Sequence, residues 1–172
     1  MGSEMRRGGR GPRWGAVRAL IVDVDGVLTD GGLYYGEGGE VLKRFDVRDG
    51  QGLVLLRETG LVVAIVTRKQ SAMVSRRAQD LGIAEVHQDV VDKAAVVKDL
   101  LARHRLTPDQ ACYVGDDVGD LPALAAVGLP VAVADAVAEV RRAATYVTRA
   151  KPGHGAIREV CNLILAAHHP RR

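Results

Sequence analysis

The fold class this sequence predicts is a three-layer α/β/α sandwich: a mostly parallel sheet with helices on both faces, plus one protruding β-hairpin. Three observations carry that expectation. Short apolar runs alternate with helix-length segments along the chain, and such alternation gives parallel strands joined by right-handed crossovers. Two of the runs, "LVVAIV" (Leu61–Val66) and "ACYV" (Ala111–Val114), are continuous rather than alternating, the pattern of strands covered on both faces. Only "LYYGEGGEVLKRF" (Leu33–Phe45) breaks the rhythm, with two extended pieces about a glycine-rich turn at Gly36–Gly39.

The elements follow in order. Residues 1–15 open with "MGSEMRRGGRGPR", which reads as a disordered leader before a single domain over residues 16–169. Strand formers fill Ala16–Val24, and after the hairpin a helix is expected over Gly50–Thr59, with Gly60 where a C-cap belongs. Next come the strand Leu61–Val66 and a helix over Ser71–Leu81, with Ser71 as N-cap and Gly82 closing it. The strand Glu85–His87 leads to a helix over Asp92–His104, capped by Asp92, and Pro108 falls in the loop beyond. The remainder alternates: strand Ala111–Gly115, helix Asp120–Ala126, strand Leu129–Val133, helix Ala136–Ala143, strand Thr145–Thr148, helix Gly155–His168. There is no internal repeat and no inter-domain linker.

Composition excludes several functions. The 172 residues suit one domain with a real core. Lysine and arginine number 24 against 21 acidic residues, and much of the net +3 sits in the arginines at the two ends, so the body is near neutral. With one Trp, one Phe and four Tyr, the chain lacks the basic, aromatic-interleaved stripe of a nucleic-acid face. Cys112 and Cys161 lie in apolar stretches and read as buried free thiols. No apolar run approaches the roughly 18 residues of a membrane span, and no apolar segment before Trp14 makes a secretory signal. A cytoplasmic protein with neither membrane nor nucleic acid as partner is expected.

In open α/β sheets function gathers at the carboxyl ends of the strands. The first strand ends in Asp23-Val24-Asp25, the second in Thr67-Arg68-Lys69, the third leads to Asp92-Lys93, and the fourth ends in Gly115-Asp116-Asp117, with Asp120 shortly after. Asp23 and Asp25 tolerate each other if a divalent cation and a lysine neutralise them. Asp23, Asp25 and Asp116 offer hard oxygen ligands suited to Mg²⁺, which readily shares its shell with phosphate. A carboxylate can attack phosphorus and form an aspartyl-phosphate once the phosphate charge is masked, and the metal, Lys93 and the Thr67 hydroxyl can mask it. A second carboxylate then serves as acid for the leaving alkoxide and as base for water.

Together "DVDGVLTD", Thr67, Lys93 and "GDDVGD" resemble the four motifs of the haloacid dehalogenase superfamily of phosphatases. The intervals from Asp25 to Thr67 and from Thr67 to Lys93 leave no room for a cap domain, which resembles the capless branch. Within it, "DVDGVLTDGGLYYGEGGEVLKRFDVRDGQG", "YVGDDVGDLPAL", "VGLPVAVADA" and "GHGAIREVC" are similar to the 3-deoxy-D-manno-octulosonate 8-phosphate (KDO 8-phosphate) phosphatases. The resemblance spans about Ala19 to Ala167. It implies a Rossmann-like fold, Mg²⁺ as cofactor, a phosphorylated sugar acid as substrate, and a homotetramer whose neighbouring subunits close the site. It implies Asp23 as nucleophile and metal ligand, Asp25 as general acid/base with its backbone carbonyl on the metal, and Thr67 and Lys93 on the phosphoryl group. Asp116 becomes the third metal ligand, and Asp117 and Asp120 orient Lys93 or metal-bound water.

Two positions depart from the family pattern: Thr67-Arg68-Lys69 replaces the usual "TGR", and also lacks the Gly-Glu of sialic acid 9-phosphate phosphatases, while Asp89 stands where glycine is common. Both fall where substrate is read. Arg48, Arg68 and Lys69 are candidates for a sugar-acid carboxylate, and His87 for a substrate contact; surface charge and solvent exposure are the plain alternatives. The last helix, opened by Gly153 and Gly155, has an N-terminus that attracts anions, or is a plain loop. Tyr34 and Tyr35 read as packing between subunits. The competing functions are hydrolysis of a sialic acid 9-phosphate or another phosphomonoester, and a non-catalytic oligomerisation module like the domain fused to sialic acid cytidylyltransferases.

Overall fold

The computed structural model describes residues 11–169. Eight strands and six helices follow one another: β1 (Ala19–Val22), β2 (Tyr34–Gly36), β3 (Gly39–Leu42), α1 (Val47–Glu58), β4 (Val62–Val66), α2 (Ala72–Asp80), β5 (Glu85–His87), α3 (Lys93–Arg103), β6 (Ala111–Gly115), α4 (Leu121–Ala125), β7 (Leu129–Ala132), α5 (Ala138–Ala143), β8 (Tyr146–Val147) and α6 (Ala156–His168). Six strands form one sheet in the order β5-β4-β1-β6-β7-β8, and every pairing in it is parallel. Helices α1, α2 and α6 pack on one face and α3, α4 and α5 on the other. This is the three-layer α/β/α sandwich expected from the alternation.

The central strands are β-branched and apolar because both faces are covered. All four residues of β1 and all five of β6 are buried. All of them but Gly115 belong to one hydrophobic cluster running from Val17 to Ile164. In the hairpin, β2 and β3 pair antiparallel, with Gly36 opposite Gly39 around a two-residue turn. No helix among the described residues is long and apolar enough to cross a membrane.

Two boundaries and one cap differ from the sequence expectation. Trp14–Ala16 form a 3-10 turn, where a leader and the start of a strand were expected. The Trp14 ring meets Tyr146 edge-on at 5.1 Å, so aromatic packing orders this stretch. Residues 1–10 of the expected leader lie outside the described residues. Helix α1 begins at Val47, not Gly50, because Asp46 caps it by accepting from the Arg48 and Asp49 N–H groups at 2.8 and 3.2 Å. Ser71 occupies the N-cap position of α2, but its hydroxyl makes no capping bond.

The strand order creates the site. The chain leaves β1 towards β4 and β5 on one side, and later returns to β6 on the other. That reversal opens a crevice above the carboxyl ends of β1, β4 and β6.

Candidate active site

Asp23 directly follows β1 and still belongs to its ladder, donating its N–H to the Val114 carbonyl at 3.2 Å. Its side chain is therefore held by a rigid strand end. One carboxylate oxygen accepts the Val24 N–H at 2.7 Å and the other faces Lys93 Nζ at 2.9 Å. Thr67 directly follows β4, where its N–H donates to the His87 carbonyl and its own carbonyl accepts from Val90. Lys93 opens α3, where a cation opposes the helix dipole. Its side chain is buried, with Nζ bonded to Asp120 at 2.7 Å as well as to Asp23.

Asp116 follows β6 and meets the first strand through Gly26. Gly26 has φ +81°, and a Cβ there would collide with the Asp116 carboxylate. Glycine thus serves twice at this position: it permits the left-handed turn and it admits the acid. One carboxylate oxygen from each of Asp23, Asp116 and Asp120 lies within 4.8 Å of the others.

Electrostatics mark the cluster as short of positive charge. Burial, then the Asp120 carboxylate, push Asp23 up to about 6 against the pull of Lys93. Burial, then Asp23 and Asp120, push Asp116 up to about 8. Burial opposes the charge on Lys93, but Asp23 and Asp120 outweigh it and hold its pKa above the ordinary lysine value. One buried lysine does not neutralise three carboxylates; a hard divalent cation would. The four acceptor sites of Asp120 are already engaged, by Lys93, the Tyr113 hydroxyl at 2.7 Å and the N–H groups of Asp116 and Asp117. Asp23 and Asp116 therefore remain as the side chains with oxygen to offer a metal.

The cleft above these residues has a volume of about 310 Å³, and Asp25, Thr67, Arg68 and Lys69 share its lining with the acidic cluster. Asp25 is bonded there by Lys43. Nothing in the sequence pattern pointed to Lys43, which lies in a hairpin of mostly exposed residues, nor to Tyr113, which reads as an ordinary core strand residue.

Asp117 also lines the cleft, where it accepts the Val118 N–H at 2.7 Å and leaves the Lys93 contact to Asp120. Two other candidates stand elsewhere. Arg48 is not at the cleft: its guanidinium pairs with Asp46 at 3.2 Å and reaches the His154 carbonyl. His87 is not there either, because its Nε2 meets Glu85 at 2.9 Å. Glu85 also binds Arg103 and His104, which hold its carboxyl down at about 2, with the Arg103 hydrogen bonds the largest influence. The N-terminus of α6 has its anion from within the chain: buried Asp49 accepts from the Arg158 and Gly155 N–H groups at 2.8 and 3.4 Å.

The haloacid dehalogenase-like hydrolase family model matches residues 57–160. The KDO 8-phosphate phosphatase of Yersinia pestis is 48% identical over 151 residues, covering 88% of this chain and 81% of the relative.

The chain is a haloacid dehalogenase-like hydrolase.

Solved structures of the same family share its fold. The crystal structure of the Yersinia pestis phosphatase superposes with a TM-score of 0.88 at 47% identity, covering 91% of this chain and 84% of that one. The Moraxella catarrhalis KDO 8-phosphate phosphatase, solved with a magnesium ion, a phosphate ion and a KDO molecule, gives a TM-score of 0.86 at 38% identity, covering 90% and 88%. Asp89 has a φ of +57°, the left-handed region that glycine enters freely and aspartate tolerates better than most residues.

Proposed function

We propose that this hydrolase is a Mg²⁺-dependent phosphatase that cleaves KDO 8-phosphate to KDO and phosphate through an aspartyl-phosphate. The observation that carries the reading is the convergence of Asp23, Thr67, Lys93 and Asp116 on one cleft at the strand reversal. The relatives named above, phosphatases of this sugar acid, support the substrate.

The Asp23 and Asp116 carboxylates and the Asp25 backbone carbonyl would hold the Mg²⁺. When bound, the ion neutralises phosphoryl charge and so lets two anions meet. Lys93 and the Thr67 hydroxyl hold the remaining phosphoryl oxygens. The Asp23 carboxylate attacks phosphorus as the ester P–O bond breaks, and the leaving alkoxide takes the Asp25 proton. Water then gives a proton to Asp25 while its oxygen displaces Asp23 from phosphorus, which restores both groups. Arg68 and Lys69, exposed at the rim, are placed to meet the sugar-acid carboxylate. We further infer a cytoplasmic homotetramer, from two buried free thiols and from the apolar, exposed hairpin that neighbouring subunits would cover.

The experiment is phosphate release from a panel containing KDO 8-phosphate, a sialic acid 9-phosphate and a simple aryl phosphate. KDO 8-phosphate is expected to have the highest kcat/KM, with EDTA reducing turnover to background. Asp23→Asn is expected to lower kcat by roughly 10⁴-fold or more. Preference for the nine-carbon phosphate would replace the substrate assignment. No turnover of any phosphomonoester would favour the non-catalytic module.

A further inference from the structure

Lys43 immediately follows β3, in a hairpin whose side chains are mostly exposed. Its own side chain is only 1% exposed, and its Nζ donates to Asp25 Oδ1 and, at 2.8 Å, to Glu40 Oε1. A lysine taken out of water needs compensating partners, and here two carboxylates supply them. Glu40 also faces Lys69 Nζ at 3.7 Å, and Lys69 lines the cleft beside Asp25. One chain of charges, Asp25–Lys43–Glu40–Lys69, therefore ties the end of β1, the hairpin and the loop after β4 together. The stretch after the hairpin is anchored separately, by Arg44 Nη1 donating to the Gly153 carbonyl at 2.7 Å. Asp25 keeps 27% of its side chain exposed and faces the cleft, so without Lys43 its carboxyl has room to rotate away from a reacting oxygen.

We propose that Lys43 is a positioning residue: with Glu40 it holds the Asp25 carboxyl at the cleft and makes correct seating of the β2–β3 hairpin a condition for proton transfer. The inference rests on the proton-transfer role given to Asp25 above. A carboxyl displaced by about 1 Å from its reacting partner loses on the order of 10²-fold in rate. That loss falls where a proton must move, and spares binding of the phosphoryl group, which Lys93 and Thr67 perform.

The test compares leaving groups in the full-length protein loaded with Mg²⁺. The sugar alkoxide of KDO 8-phosphate needs a proton to depart, whereas the 4-nitrophenolate of 4-nitrophenyl phosphate does not. Lys43→Met is expected to lower kcat on the sugar phosphate by ~10²-fold, with KM and the first-turnover burst of 4-nitrophenolate both within about threefold of the parent. Lys43→Arg, which keeps the charge and the donors, should restore most of the loss. Equal losses on both leaving groups in the first turnover, or no loss on the sugar phosphate, would overturn the proposal. Should Lys43→Met fail to fold, Glu40→Gln decides: it keeps Lys43 but weakens its second anchor. It should show the same leaving-group dependence at roughly 10-fold, and its absence overturns the proposal too. If Asp25→Asn were as active as the parent, the mechanism above would fall. If Asp25→Asn were impaired and Lys43→Met were not, only the role of Lys43 would.

Discussion

Asp120 has no lone pair left to give. Its four acceptor sites hold Lys93, Tyr113 and two backbone N–H groups, so it fixes the lysine proposed to meet the phosphoryl group. Tyr113→Phe removes one of those four bonds without opening a cavity. It should lower stability by about 1 kcal/mol and weaken inhibition by inorganic phosphate, measurable by heat unfolding and product inhibition; an unchanged inhibition constant would show that Lys93 needs no such support. The raised values of Asp23 and Asp116 set a pH dependence. Between about 4 and their folded values of about 6 and about 8, the native metal-free protein holds more protons than the unfolded chain. Its stability should therefore fall as pH rises through that window. Mg²⁺ replaces those protons, so the rise in Tm on adding it should be larger at pH 8 than at pH 5.5. An equal rise at both would mean the ion binds elsewhere. Asp23, Asp25, Thr67, Lys93 and Asp116 were legible as residues because each stands at the carboxyl end of a readable strand or the start of the next helix. Lys43 was not, because a lysine in a hairpin reads as solvated charge until its neighbours in space are known.

At the scale of elements, backbone conformation and capping decide what periodicity leaves open. Asp89 carries a left-handed φ of +57° in the loop between β5 and α3. Asp89→Gly relieves that conformation and should raise stability by up to ~1 kcal/mol, read as a Tm increase of a few degrees; a lower Tm would mean the carboxylate contributes more than the strain costs. Asp49 is the anion at the head of α6 and bridges α1 to it, so Asp49→Ala leaves two half-buried helix donors unsatisfied. A loss of about 2 kcal/mol, or roughly 4–8 °C in Tm, is expected in thermal unfolding, and an unchanged Tm would show that water replaces the carboxylate. The early start of α1 follows from the same chemistry. Asp46 was visible in the sequence as a capping residue type, but the glycines at 50 and 52 weakened the helical signal over the first turn. Arg48 and His87 left the expected site because nearer carboxylates, Asp46 and Glu85, hold them.

Across the whole molecule, the hairpin carries the exposed apolar side chains on which the proposed homotetramer rests. Leu33, Tyr35, Val41 and Leu42 are each more than half exposed, apolar side chains on both faces of a ribbon, of the kind an interface covers. Light scattering is expected to give four times the chain mass. On the proposed homotetramer, in which neighbours close the cleft, a Tyr35→Lys/Val41→Glu double variant should dissociate and lose activity; a parent mass near one chain would end that expectation. The sequence by itself determined the order of strands and helices, because burial on two faces writes continuous apolar runs. It also determined which residue types meet at the candidate site, because a parallel sheet presents its strand ends at one rim. Only the tertiary structure decided which charges meet. Side-chain pairing depends on distances across the fold: Asp49 fills the head of a helix over a hundred residues away, and Lys43 reaches Asp25 from the far side of a turn.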